Sequence, residues 1–373
     1  MPQSRLLIPL LLVVTLPLPA TPVAHAADRV TTIELPPLPG RTSADPVGVN
    51  DAGQIAGASA GHAVLWHRGQ TTDLGRGHAT AINRRGQVLV LEQLSGSGPY
   101  VQHPRIWHNG ATTDIAPEGA GWVSATAINA DGVVPMTYST SPYGYHQDAS
   151  SLWKDGRLLG LRGGGPHLSV PVVNDRGLVA GTHLPMSGTD SHAFRCQETS
   201  CARLAAAPGD GGYQVSAANE SGVVVGARAT LPLRWEGDTV TVLPGGVGEV
   251  SANPQAINER GDIVGWTQDA AGVRQATVWR GGRQVVLEVP GPAEAVAIND
   301  SGDIVGWSSS SGQRRAFLWR HGRAADLGTL GGAYSVPVAL NNIGVIVGRS
   351  TAADGTYRAV KWQVRLDWPT SVG

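Results

Sequence analysis

The sequence predicts an all-β fold, a β-propeller of eight four-stranded blades. The main observation is a phrase of a small apolar residue, Asn, two residues, Gly and an apolar pair. It occurs eight times, at Asn50, Asn83, Asn129, Asn174, Asn219, Asn258, Asn299 and Asn341. Successive Asn residues are 33, 46, 45, 45, 39, 41 and 42 residues apart, and a propeller blade takes about 40–45 residues. Seven blades with one degenerate repeat is the alternative.

A single repeat contains the signals for the strands of one blade. Residues 335–340 form a short apolar run that suits a buried strand. The Asn-x-x-Gly stretch at 341–344 predicts a tight turn, because Asn and Gly tolerate positive φ. A second strand at 345–348 and a third at 357–362 follow, and the preceding repeat adds a fourth strand at 324–327. The pattern is typical of antiparallel propeller blades.

A second landmark is the Trp that ends the third strand in seven repeats. These residues are Trp66, Trp107, Trp153, Trp235, Trp279, Trp319 and Trp362. An indole buries a large apolar surface, so we expect these side chains to fill the space between neighbouring blades.

The two ends of the repeat region predict how the ring closes. Only a short tail follows Trp362, so the last repeat lacks its own fourth strand. Residues 30–35 precede the first repeat and resemble a fourth strand. We therefore expect the N-terminal strand to complete the last blade, which removes exposed sheet edges.

The N-terminus resembles a secretory signal peptide. Arg5 precedes an apolar run at 6–16, and a small-x-small site lies at 24–26. These features predict a signal peptide at residues 1–26, a single propeller domain at 27–373, and secretion. The apolar run is too short for a comfortable membrane span, and the mature chain is expected to have none.

Composition and cysteine content limit the partners. The formal net charge is −1, so no basic field predicts nucleic-acid binding. Cys196 and Cys201 face each other across a predicted hairpin, and in an oxidising compartment we expect a disulfide between them. No cofactor or metal site is predicted, because no His, Asp or third Cys has ligand spacing to this pair.

The chain resembles the HAF-repeat family of probable extracellular proteins. The resemblance rests on residues 326–332 (DLGTLGG), 339–344 (ALNNIG), 192–194 (HAF) and 316–319 (AFLW). It extends over nearly the whole mature chain and implies an extracellular location and a repeat fold. It implies no activity and no catalytic residues.

Aromatic residues in predicted loops favour a binding function. Loops that enter a first strand or leave a second strand gather at one mouth of a propeller channel. We expect a ligand-binding surface there, formed by Trp122, His167, Tyr213, Trp266, Trp307 and Tyr334. Aromatic rings suit stacking on sugars or contact with a peptide. The leading hypothesis is a secreted, monomeric, non-enzymatic binding or scaffold module for a glycan, a peptide or an extracellular protein.

Two other functions remain open at this stage. One is a secreted propeller hydrolase or lyase that acts on a polysaccharide, with Glu249, Glu294 and His167 converging at the mouth. The other is a structural surface-layer component. Asp262 and Asp303, which follow the turn Gly in two repeats, are interpreted as plain polar turn residues rather than calcium ligands, because the distal Glu of a calcium loop is missing.

Overall fold

The structure is an all-β ring of eight blades. A computed structural model describes residues 29–93, 102–140, 149–163, 168–184, 191–309 and 312–365. Their strands form eight antiparallel sheets of four strands each, as the repeat predicts, so the eight-blade prediction is confirmed and the seven-blade alternative is wrong. The predicted signal peptide and residues 366–373 lie outside these ranges. In the described part of the chain, no helix is long and apolar enough to cross a membrane.

The strands of the first four blades follow one another in chain order. Blade 1 contains β2 (Asp45–Val49), β3 (Ile55–Ser59), β4 (His62–His67) and β5 (Gln70–Arg76). Blade 2 contains β6 (His78–Ile82), β7 (Val88–Gln93), β8 (Gln102–His108) and β9 (Ala111–Asp114). Blade 3 contains β10 (Trp122–Ser124), β11 (Val134–Ser139), β12 (Ala149–Lys154) and β13 (Arg157–Gly160). Blade 4 contains β14 (Leu168–Val173), β15 (Leu178–His183), β16 (His192–Gln197) and β17 (Ser200–Arg203).

The remaining blades repeat this order until the last one. Blade 5 contains β18 (Tyr213–Ala218), β19 (Val224–Arg228), β20 (Leu231–Glu236) and β21 (Thr239–Val242). Blade 6 contains β22 (Glu249–Ile257), β23 (Ile263–Asp269), β24 (Arg274–Arg280) and β25 (Arg283–Val286). Blade 7 contains β26 (Ala293–Ile298), β27 (Ile304–Ser308), β28 (Arg315–Arg320) and β29 (Arg323–Asp326). Blade 8 contains β30 (Gly331–Leu340), β31 (Ile346–Ala352), β32 (Tyr357–Arg365) and, from the other end of the chain, β1 (Arg29–Glu34).

The N-terminal strand closes the ring, as predicted. β1 pairs antiparallel with β32, and Thr32 lies opposite Trp362. The Thr32 hydroxyl also donates a hydrogen bond to the carbonyl oxygen of Leu327 in blade 7. The last blade therefore joins the two ends of the described chain.

The repeated Trp residues pack mainly between blades. Trp66, Trp235, Trp279 and Trp362 are fully buried, and the other three are half-buried. Trp66, for example, belongs to a core cluster with Val347 of blade 8. Its indole N–H donates to the carbonyl oxygen of Pro36 at 2.7 Å.

A closed ring of hydrogen bonds links the eight repeated Asn residues. The side-chain amide of Asn50 donates to the carbonyl oxygen of Asn83 in the next blade, and the same bond recurs at every boundary between blades. The ring closes where Asn341 donates to the carbonyl oxygen of Asn50 at 2.8 Å. All eight Asn side chains are buried. The repeated Asn therefore shapes its own turn and also connects neighbouring blades, which the turn pattern by itself did not indicate.

The predicted disulfide is present. Cys196 and Cys201 lie directly opposite each other in the β16–β17 hairpin, with an S–S distance of 2.03 Å. The bond holds the hairpin of blade 4, where the repeated Trp is missing.

Candidate functional site

The two faces of the ring differ in the segments they carry. The Asn-x-x-Gly turns and the short hairpins between third and fourth strands share one face, which we call the turn face. The loops from second to third strands, and from one blade to the next, share the opposite face, which we call the loop face. The sequence-based prediction placed the ligand site on the loop face.

On the loop face, several predicted ligand-binding residues contact other side chains. Tyr213 is buried, and its hydroxyl oxygen accepts a hydrogen bond from the Ala207 N–H at 2.9 Å. Tyr334 packs edge-on against Tyr357, with ring centroids 5.3 Å apart. Trp122 is half-buried at the start of β10. The ring of Tyr213 is therefore part of the core rather than of an open surface.

The two Trp residues at the ends of second strands are each covered by an arginine. The guanidinium of Arg274 lies 4.0 Å from the ring centroid of Trp266, and that of Arg314 lies 3.9 Å from the centroid of Trp307. Cation–π contacts of this kind hold an indole in place. His167 lies outside the described residues, and ligand binding by the predicted set stays a prediction.

The acids predicted to converge on the loop face have separate partners. Glu294 pairs with Arg274 of the preceding blade. Glu249 accepts hydrogen bonds from the Gly246 N–H at 2.7 Å and from the side-chain amide of Gln284. The two carboxylates are therefore occupied in different local contacts.

A cavity of about 500 Å3 opens on the turn face between blades 6 and 7. We call it the 6–7 cavity. Residues of both blades line it, chiefly Arg260, Asp262 and Arg280 from blade 6 and Asp303, Trp319 and His321 from blade 7. It combines two carboxylates, two guanidinium groups, an indole and an imidazole.

Asp262 and Asp303 hold the same position in successive repeats, directly after the turn Gly. Both are buried, with 6% of each residue exposed. Arg320 binds Asp303 through two hydrogen bonds of 2.6 Å, from Nε and Nη2. These hydrogen bonds raise the pKa of Arg320, although burial lowers it in part. The two-pronged contact fixes the orientation of the Asp303 carboxylate.

Asp262 is held less firmly. Nη2 of Arg280 lies 2.9 Å from its Oδ2, and Nη2 of Arg260 lies 3.6 Å away. The backbone N–H of Asp262 donates to the Oδ1 of Asn258 at 2.9 Å, which fixes the start of β23. The Asp262 carboxylate is therefore shared by Arg260 and Arg280, and it can change partner more easily than that of Asp303.

The interpretation of Asp262 and Asp303 as plain polar turn residues was wrong. Each carboxylate pairs with the Arg directly after the repeated Trp of its own blade, Arg280 or Arg320. Only these two repeats combine an Asp after the turn Gly with an Arg after the Trp. That pairing is the sequence signal that would have located the site.

The side chains around the 6–7 cavity contact one another. In the ranges that the structure describes, no group of three or more His, Cys, Asp or Glu residues is arranged to hold a metal ion. The carboxylates here contact arginines instead, and the imidazole of His321 lies in the exposed hairpin that joins β28 to β29.

Comparisons with known proteins identify the fold. No protein-family model matches the chain, and no curated protein matches it significantly. A prolyl endopeptidase structure is similar, with 14% identity and a TM-score of 0.57 over 85% of this chain and 54% of that chain. The propeller domain of the Trilobed protease from Pyrococcus furiosus matches with 9% identity and a TM-score of 0.48, over 77% of this chain and 96% of that domain. The lectin from Aleuria aurantia, in complex with α-methyl-L-fucoside, has 8% identity and a TM-score of 0.30, over 92% and 97%.

These comparisons correct the leading functional prediction. The prediction of a non-enzymatic binding or scaffold module was wrong, because the similar propeller with the TM-score of 0.57 is part of a hydrolytic enzyme. The alternative, a secreted propeller hydrolase or lyase that acts on a polysaccharide, stays a proposal. This chain spans about half, 54%, of the prolyl endopeptidase chain, so that likeness shows the fold, and any activity of this chain is a proposal. The resemblance to the HAF-repeat family stays a prediction.

Proposed function

We propose that this protein is a secreted hydrolase of polysaccharides whose reaction centre is the 6–7 cavity. The observation that carries the proposal is the pair of buried carboxylates, Asp262 and Asp303, that line one cavity with an indole and an imidazole. Hydrolysis of a glycosidic bond ordinarily needs a carboxylate on one side of the sugar ring and a proton donor near the leaving oxygen. The pattern at residues 1–26 and the disulfide support secretion.

The different restraints on the two carboxylates support a division of roles. Two hydrogen bonds from Arg320 fix the orientation of Asp303, which has a structural role in the wall of the cavity. Asp262 has the looser contacts, so it is the carboxylate that acts on the substrate. It takes a proton from a water molecule whose oxygen attacks the anomeric carbon.

The proton for the leaving group comes from the imidazole of His321. A protonated imidazole is a hydrogen-bond and proton donor, and His321 is exposed at the edge of the cavity. As the bond between the anomeric carbon and the glycosidic oxygen breaks, His321 protonates that oxygen and the shortened chain leaves. The half-buried indole of Trp319 offers an apolar surface for a sugar ring.

The test is an assay of released reducing ends with the purified chain on a panel of polysaccharides. Asp262→Asn is expected to lower kcat by about 100-fold or more, the usual contribution of a general base. Asp131→Asn is the control, because Asp131 lies in an exposed ion pair beside the equivalent cavity between blades 2 and 3. Full activity of the Asp262→Asn variant, or no turnover of any polymer by the folded protein, contradicts the proposal.

Peptide hydrolysis is a second candidate, favoured by the similarity to the prolyl endopeptidase structure. Proline-containing peptides therefore belong in the same assay. Turnover of a peptide that survives Asp262→Asn supports this second function and contradicts the first.

A further inference from the structure

Among the residues that the structure describes, Arg260 has no carboxylate partner across the boundary, unlike its counterpart in another blade. Arg85 occupies the same place in blade 2, two residues after the repeated Asn. Its Nη2 lies 2.7 Å from Oδ1 of Asp131 in blade 3. The counterpart of Asp131 in blade 7 is Ser301, which has no charge. Arg260 is therefore left with Asp262 of its own blade, at 3.6 Å.

Arg260 makes the loosest of the ion pairs around the 6–7 cavity. Arg260 and Arg280 share the single carboxylate of Asp262, and Arg320 takes up the carboxylate of Asp303. Two carboxylates thus serve three guanidinium groups, and Arg260 makes the longest of these contacts. The Asp300 carboxylate, at the same boundary, accepts a hydrogen bond from the Glu259 N–H. Half of the Arg260 side chain, 51%, is exposed to solvent, so its guanidinium group is accessible from the cavity.

The turn of blade 7 leaves space for the guanidinium groups. A Cβ atom on Gly302 would lie 2.1 Å from Nη2 of Arg260 and 3.2 Å from Nη2 of Arg280. Gly302 has a φ of 84°, so the turn favours Gly there for its backbone as well. Because no side chain stands at this position, both guanidinium groups can lie against the turn and line the cavity.

We propose that the 6–7 cavity binds an acidic sugar, a uronic acid residue whose carboxylate pairs with Arg260. A guanidinium group presents two parallel N–H donors that match the two oxygens of a carboxylate. The sugar ring then lies near the indole of Trp319, which lines the same cavity. This inference names the substrate class and rests on the proposed hydrolase function.

Direct binding measurements test the inference. The probes are galacturonate oligomers and the same oligomers with their carboxyl groups reduced to alcohols, titrated into the purified chain by calorimetry. The acidic oligomer is expected to bind roughly tenfold tighter or more, as a charge-assisted contact provides. The preference should weaken at high salt, because the arginine is partly exposed.

Two variants connect the preference to Arg260. Arg260→Gln removes the charge, and Ser301→Asp supplies the carboxylate that Arg85 already has, so each should bring the two affinities to within about twofold of each other. Ser301 is exposed in its turn, and the equivalent position in blade 3 naturally holds Asp131, so the substitution fits the fold. Arg85→Gln is the matched control and should keep the preference.

The outcomes separate this inference from the proposed function. Equal binding of acidic and neutral oligomers, or an unchanged preference in both variants, overturns the inference. Selective binding of the acidic oligomer without hydrolysis supports the inference and contradicts the hydrolase proposal. Hydrolysis of the neutral oligomer at the same rate supports the hydrolase and contradicts the inference.

Discussion

The cavity between blades 6 and 7 and the one between blades 2 and 3 occupy equivalent places in the ring but differ in chemistry. The second cavity, of about 350 Å3, is lined by Gln87 and His108 where the first has Asp262 and Arg280. The Gln87 amide accepts a hydrogen bond from Asn83 at 2.6 Å and carries no charge. The repeat therefore builds the same wedge-shaped space more than once, and the residues beside the turn decide what each space can bind.

Loss of a repeated Asn should destabilise the fold equally at the 6–7 and the 2–3 boundary. This is the largest effect on stability that we expect. Asn258→Ala and Asn83→Ala each remove the hydrogen bond that the side-chain amide donates to the next blade. Each also leaves backbone groups that bonded to the Asn side chain without partners. Each should lower the free energy of unfolding by about 3 kcal/mol, since unsatisfied buried groups cost about 1–3 kcal/mol apiece. Urea denaturation measures both losses. A much smaller loss at either boundary would mean that the hydrogen-bond ring does not contribute as described.

Removing a carboxylate charge should destabilise the protein more at Asp303, beside the 6–7 cavity, than at Asp131, beside the cavity between blades 2 and 3. Asp303→Asn removes the charge that faces Arg320, whose side chain is 26% exposed. We expect a loss of about 2 kcal/mol, below the value for a fully buried pair because solvent reaches the arginine. Asp131→Asn, in a pair whose side chains are more than half exposed, should change stability by less than about 0.5 kcal/mol. Thermal denaturation of the two variants gives the comparison, and equal losses would contradict it.

Replacing a turn glycine should lower stability by a similar amount in blades 3 and 7, but should weaken ligand binding only in blade 7. Gly302→Ala and Gly132→Ala both place a Cβ at positive φ, 84° and 80°. Each should cost about 1–2 kcal/mol by that strain. Only the change at Gly302 would push Arg260 away, because the new Cβ would meet the end of that flexible side chain. Calorimetry should therefore show weaker binding of galacturonate oligomers for Gly302→Ala alone; the same binding in both variants would contradict the assignment of Arg260.

The smallest predicted effect is a pH dependence in blade 2. Burial raises the pKa of Asp114, but hydrogen bonds from the Ala116 N–H and from His103 outweigh it and hold the pKa below the usual 3.8. A carboxyl with a lowered pKa in the folded state stabilises the fold above its unfolded pKa and loses that contribution as the pH falls through the folded pKa.

Asp114→Asn should remove this acid-dependent part. The wild-type chain is then expected to lose slightly more stability than the variant between about pH 6 and about pH 2, measured by urea denaturation. Asp131→Asn serves as a control for a surface carboxylate of the same region. A steeper loss in the Asp114→Asn variant than in the wild type would contradict the assignment.

The sequence predicted much of the fold because its signals are local and repeated. The turn at 341–344, the strand at 30–35 and the two cysteines each gave a correct element, since turn chemistry and strand alternation act over a few residues. The predicted ligand-binding residues lie on the loop face and stay a prediction, whereas the proposed 6–7 cavity lies on the turn face. The aromatic residues predicted a ligand-binding surface on the loop face, but Tyr213 is buried in the core and Trp266 is covered by Arg274. Contacts of this kind form between segments that are distant in the sequence, so a local sequence pattern does not predict them.

What the sequence by itself determined is the eight-fold repeat, its strand order and the disulfide, because period, turns and cysteine spacing are properties of the chain. Only the tertiary structure decided that Asp262, Arg280 and Ser301 meet in one space. They belong to two different repeats, and their proximity arises from the packing of neighbouring blades. The loose pairing of Arg260 depends on that packing, because the position that could supply a closer partner, Ser301, is a residue of the next blade.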